Sequence, residues 1–122
     1  MIDDELTEKI IGATFEVSNT LGCGFLEKVY ENALCINLQK KGFSVEQQFP
    51  INVYYENQVV GEYIADLFIE GKIIVELKVA KELDDVHKAQ VINYLRATGV
   101  KTGLLINFGK SKLEFRRFDN KF

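Results

Sequence analysis

The spacing of apolar positions changes character near residue 43. Before it, apolar residues recur at helical intervals. Leu6, Ile10, Ala13, Phe15 and Val17 predict a first helix over residues 4–20. The segment "NTLGCG" (19–24) ends it with turn-formers and two glycines. "FLEKVYENALCINLQKK" (25–41) then predicts a second helix, with Gly42 as its C-terminal cap. From residue 43 the pattern is that of strands. "FSVEQQFPINVYYEN" and "VVGEYIADLFIE" are rich in β-branched and aromatic residues, and turns are expected at Asn57-Gln58 and Glu70-Gly71. "KIIVELKVA" is the nearly unbroken apolar run of a strand covered on both faces. Residues 84–98 return to helical spacing, and "GLLINFG" and "KLEFRRF" close the chain as strands. Helix, helix, three strands, helix, two strands predicts an α/β fold, a mixed sheet flanked by helices. At 122 residues, residues 1–122 are expected to form a single domain.

Three charged residues interrupt the most apolar part of this pattern. Asp66, Glu76 and Lys78 lie within "IADLFIEGKIIVELK", where each costs several kcal/mol to desolvate unless paired. Residues two apart on a strand share a face, so Glu76 and Lys78 project together while Val75, Leu77 and Val79 point into the core. The side taken by Asp66 depends on the hairpin. A two-residue loop at Glu70-Gly71 would pair Asp66 with Val75 and separate the acids. An odd loop, such as Ile69-Glu70-Gly71 with Gly71 left-handed, would place Asp66 on the face of Glu76. Two neighbouring carboxylates repel, a divalent cation removes the conflict, and a nearby lysine can neutralise a phosphate or help activate a bound water. The set therefore suits metal-assisted phosphodiester hydrolysis.

Two helices offer further candidates. On the second, Leu26, Tyr30 and Ala33 define the expected centre of the apolar face. Glu27 falls at its edge, and Glu31 is expected to turn further toward solvent. Glu27 is thus the acid placed to reach over the sheet, against the simpler reading of an exposed helix glutamate. In "VHKAQVINYLRATG", Gln90 and Tyr94 stack four residues apart. Gln90 there needs a partner, whether water, backbone or Lys78, and core packing alone would also account for Tyr94. His87 carries no expected chemistry.

Composition narrows the class. No stretch approaches a membrane span, and the acidic start "MIDDELTEKI" does not read as a secretory signal. Cys23 and Cys35 lack metal-ligand spacing and read as reduced thiols, so a cytoplasmic location without a membrane partner is expected. The formal net charge is −3, but it is uneven. Residues 1–100 carry 9 Lys and Arg against 16 Asp and Glu, and residues 101–122 carry 6 against 2. "KSKLEFRR" is either a basic edge for a phosphate backbone or a solvated terminal strand.

Taken in order, these residues resemble the PD-(D/E)XK nuclease superfamily. Its core runs helix, three strands, helix, strand, with an aspartate on the second strand, E-x-K on the third and often an acid on the first helix. Here those are Asp66, Glu76-Leu77-Lys78 and Glu27. Gln90 and Tyr94 resemble the Q-x-x-x-Y element of the RecB-like branch, and "GFLEKVY" (24–30) is similar to the signature of the GxxExxY family. Ala65 stands where the superfamily name has proline. The resemblance implies a restriction-endonuclease-like αβββαβ core and a metal-dependent nuclease acting on nucleic acid, DNA first and RNA second. It implies that Asp66, Glu76, Glu27 and the Leu77 carbonyl hold Mg²⁺ or Mn²⁺. Lys78 would orient the attacking water, with Gln90 and Tyr94 placing it or touching the substrate. The competing expectation is a non-catalytic nucleic-acid-binding or assembly module on the same fold. One domain covers little duplex, so a homodimer is an open expectation.

Overall fold

The computed structural model describes residues 3–121. Two helices, α1 (Asp4–Leu21) and α2 (Glu27–Lys40), precede β1 (Val45–Tyr55), β2 (Gln58–Ile69) and β3 (Ile73–Lys78). Helix α3 (Asp85–Thr98), β4 (Thr102–Asn107) and β5 (Glu114–Asp119) follow. The five strands form one sheet in chain order, with β3 central. All ladders are antiparallel except β3–β4, which is parallel because α3 carries the chain back across the sheet. The expected element order is observed. Helix α2 through β4 supplies the αβββαβ core.

The helices cover opposite faces. Ile10, Ala13 and Val17 of α1 and Tyr30, Leu34 and Leu38 of α2 pack on Leu67, Ile69, Ile73, Val75, Leu77, Leu104 and Ile106. On the other face, Tyr94 and Leu95 of α3 pack with Ile51, Ala65 and Ile74. The strand β3 is buried along its length up to Lys78, as its apolar run predicts. Helix α2 ends in a left-handed Gly42, whose amide donates to the Gln39 carbonyl while the Phe43 amide reaches that of Leu38.

Several details differ from expectation. The first hairpin turns at Glu56-Asn57, one residue earlier than expected, with φ of +49° and +64° at the two loop positions. The second turns through Glu70, Gly71 and Lys72, between the paired Ile69 and Ile73. Its loop starts one residue later than expected but is odd, so the parity is kept. Phe15 lies outside the core and meets Phe115 edge-on, because the buried face of α1 runs through Thr7, Ile10, Ala13, Thr14 and Val17. Leu26 precedes the first turn of α2 and is exposed. Val79 also falls beyond the end of its strand and is exposed.

Candidate active site

The site lies where β2 and β3 part. Their ladder runs through Ile69–Ile73 and Phe68–Ile74 and ends at Leu67–Val75. At the next position Asp66 and Glu76 face each other, and side chains replace the missing ladder bonds. Glu76 Oε1 accepts from the Asp66 amide at 2.8 Å, and Asp66 Oδ2 accepts from the Leu77 amide at 2.8 Å. Each carboxylate thereby satisfies a backbone donor exposed by the separation. On the neighbouring strand, Gln48 falls opposite Asp66 and takes a φ of +55°, interrupting regular β geometry there. The packing changes side at the same point. Leu67 belongs to the α1–α2 layer, while Ala65 packs beneath α3.

The odd loop has brought the two acids together, and Lys78 lies with them, its Nζ 4.0 Å from Glu76 Oε2. Glu76 is only 3% exposed. Burial, reinforced by the charge of Asp66, raises its pKa to about 8. Asp66 is raised to about 6, again chiefly by burial, with the Leu77 amide opposing. Near neutrality the pair favours holding a proton, and a cation would compete for that place.

Helix α2 brings two acids from the other layer. Tyr30 stacks on Phe108 with ring centres 4.4 Å apart, and its hydroxyl donates to the Gly22 carbonyl at 2.7 Å. This fastens the loop before the helix, where Gly24 takes a φ of +113°. Glu27 opens the helix half-buried. Burial raises its pKa, and the Lys78 charge acts in the opposite direction. Glu27 also adds to the negative field at Asp66 and Glu76. Glu31 corrects the sequence reading: it is 2% exposed rather than solvent-facing. It accepts from Lys28, Gln47 and Gln48 at 2.8–2.9 Å. The buried stripe of α2 runs through Tyr30, Glu31, Leu34, Cys35 and Leu38, rotated from the expected centre toward Glu31. Its glutamine partners come from β1, and no helical periodicity could reveal them.

Helix α3 supplies the remaining candidates. Gln90 Nε2 donates to the Tyr94 hydroxyl at 2.9 Å, so its partner is Tyr94 rather than Lys78. That hydroxyl lies 3.4 Å from the Ile64 carbonyl. Burial, then the charge of Glu76, pushes the Tyr94 pKa up to about 12, which keeps it a neutral donor. His87 forms a capping box with Asp84 at the helix start.

Asn107 is a residue the sequence reading missed. Fully buried, it clamps the segment leaving Lys78. Its Oδ1 accepts from the Ala80 and Gly109 amides at 3.0 and 2.9 Å, and its Nδ2 donates to the Ala80 carbonyl at 2.9 Å. Gly109 is required beside it, since a Cβ there would collide with the Ala80 backbone.

The donor set fits a hard divalent cation. It offers buried carboxylate oxygens with poorly compensated charge, and Mg²⁺ commonly takes one or two carboxylates and fills its shell with water and phosphate. Among the described residues, no three acidic, histidine or cysteine side chains converge as a ready-made cage. Cys23 is exposed and Cys35 buried, both as free thiols. The arginines of the basic terminal stretch pair with acids, Arg117 with Asp4 and Asp119 and Arg116 with Glu114. No helix among the described residues is long and apolar enough to cross a membrane.

Comparison with known families matches residues 4–118 to the PD-(D/E)XK nuclease superfamily. Among solved structures, the chain is similar to one titled "Crystal structure of SSO0001", with a TM-score of 0.57 and 19% identity. The match covers 98% of this chain and 61% of that one, and at this identity it speaks to the fold alone. No curated protein matches the chain.

Proposed function

The chain belongs to the PD-(D/E)XK nuclease superfamily, and from that premise we propose that Asp66, Glu76 and Lys78 form the active centre of a metal-dependent nuclease that hydrolyses phosphodiester bonds in DNA. The observation that carries the reading is the parted strand pair. Two carboxylates face each other there, each fixed by the other strand's amide, with Lys78 beside them. Membership implies a nucleic-acid partner, and such nucleases generally use divalent metals. The "GFLEKVY" motif and the Gln90–Tyr94 hydrogen bond support placing the chain in the GxxExxY family on the RecB-like branch.

Asp66 and Glu76 would hold Mg²⁺ or Mn²⁺, with the Leu77 carbonyl as a further ligand and Glu27 as an acceptor for coordinated water. When bound, the ion supplies Lewis acidity toward the phosphate and lowers the pKa of water. The protein's own groups do the rest. One oxygen of each carboxylate is held by an amide, which orients the other toward the site. Lys78 holds positive charge beside the phosphate and orients the attacking water, stabilising the charge that develops in the transition state. The Asn107 clamp holds the segment that leaves Lys78. Tyr94, kept neutral, donates rather than repels.

Calorimetry of Mn²⁺ binding tests this without a guess about substrate. Wild type is expected to bind, and Asp66→Asn and Glu76→Gln, which keep an acceptor for the amides, are expected to lose at least tenfold in affinity. Cleavage of a DNA panel should fall with them. Absence of Mn²⁺ binding, even with an oligonucleotide present, would sink the nuclease reading and leave a non-catalytic nucleic-acid-binding module.

A further inference from the structure

A groove of about 470 Å³ opens between the β1–β2 hairpin and α3, on the outer side of Tyr94. Val53 and Tyr63 form its hairpin wall, and Gln90, Asn93, Tyr94 and Arg96 lie along its helix wall. Its volume falls within the usual range for ligand clefts. The lining is mostly apolar, with two amides and Arg96, unlike the acidic corner beside it. We propose that this groove holds an unpaired nucleobase next to the scissile phosphate, making single-stranded segments the preferred substrate. The inference rests on the nuclease reading above and names the substrate class for the same site.

Three observations converge on that occupant. The first is the aromatic pair. The Tyr63 and Tyr94 rings stand 5.9 Å apart, tilted by 53°, and Tyr63 is 51% exposed although its ring lies within the groove. Gly61, inside a strand where glycine is unfavourable, makes room for that ring. A Cβ at position 61 would meet the Tyr63 ring at 3.3 Å. An aromatic face held in place and open to solvent is a stacking platform for a base.

The second observation is the amide pair. Gln90 and Asn93 both line the groove, and primary amides match the donor–acceptor edges of bases. The third is continuity. Tyr94 both lines the groove and sets its hydroxyl 3.4 Å from the Ile64 carbonyl, two residues before Asp66, so a base seated there belongs to a nucleotide whose backbone can pass over the acids.

The charge distribution points the same way. Duplex binding draws chiefly on phosphate contacts to clustered lysines and arginines, whereas the two arginines of the basic terminal stretch are paired with acids, Arg116 with Glu114 and Arg117 with Asp4 and Asp119. A base in a duplex has its faces sealed by stacking, so only an unpaired base can enter the groove.

Fluorescence anisotropy with labelled oligonucleotides, in chelator so that no cleavage occurs, tests the proposal. The probes are a 12-nucleotide poly-dT strand, the same strand with abasic sites, and a blunt 12-base-pair duplex. Wild type should bind the strand at least tenfold more tightly than the duplex. Tyr63→Ala should lose roughly tenfold on the strand, Tyr63→Phe should retain most of the affinity, and abasic sites should cost wild type about what Tyr63→Ala costs. Circular dichroism confirms that each variant folds. Equal affinity for the duplex, an unaffected Tyr63→Ala variant, or no binding to the strand overturns the proposal. Because the assay uses neither ion nor cleavage, its failure is separable from that of the nuclease reading. Loss of Mn²⁺ binding with Tyr63-dependent strand binding intact would remove the catalysis and leave the groove.

Discussion

Asp66 and Glu76 pay for their position in protonation. Their ordinary pKa values of 3.8 and 4.5 rise to about 6 and about 8 on folding. Between about pH 4 and pH 8 these two groups therefore hold more protons in the folded chain than in the unfolded one, and their contribution to stability falls as pH rises through that window. In chelator, the Tm is expected to drop steadily from pH 5 to pH 8.5. Mn²⁺ should lessen the drop by taking the place of the protons. A Tm that rises with pH would contradict the assigned shifts. Glu76→Gln should melt several degrees higher than wild type at pH 8 while losing the ion, a trade of stability against function at a single residue. Asn107 makes the converse case. Asn107→Ala leaves two amides and a carbonyl at Ala80 and Gly109 without partners and should cost about 3 kcal/mol in urea unfolding.

At the scale of elements, the hairpin from β2 to β3 decides whether a site exists. Its loop of Glu70, Gly71 and Lys72 has odd length, which puts Asp66 on the face of Glu76, and its centring on Gly71 sets the two opposite each other. Deleting Lys72 is expected to move Asp66 to the other face or unfold the hairpin. Either way Mn²⁺ binding should vanish in calorimetry, whereas Lys72→Ala should leave it unchanged. This dependence was legible in the sequence because strand period and loop parity are local rules. So was the element order, since helical spacing and β-branched runs divide the chain cleanly near residue 43. What stayed hidden came from long-range packing. Glu31 looked solvent-facing on a helical wheel, yet Gln47 and Gln48 of β1 meet it and make its burial tolerable. Asn107 gave no signal within its apolar strand, because the backbone it clamps lies 27 residues earlier. The substitution of carboxylates for ladder bonds at Asp66 and Glu76 depends on where two strands part, which no periodicity reports.

Across the whole molecule, that parting divides the sheet into two mechanical regimes. Near Val45 and Ile69, β1 and β2 belong to a five-stranded sheet between helices. Beyond Gln48 and Asp66 the same strands run on as a two-stranded ribbon carrying Val53, Gly61 and Tyr63, with its outer turn at Glu56-Asn57. Two-stranded ribbons are marginal on their own, and this one leans on α3 through Ile51 and Ala65. The ribbon is thus a lever, and Asp66 lies at its fulcrum. Amide hydrogen exchange should show residues 53–61 opening far more often than β3 and β4. An ion held by Asp66, as proposed, would stiffen the fulcrum, so adding Mn²⁺ should slow exchange along the ribbon, well away from the carboxylates. Occupancy of the acidic corner and order in the Tyr63 wall should then rise together, so that on the proposed reading one ion would serve both the cutting of a strand and the steadying of the arm that receives it.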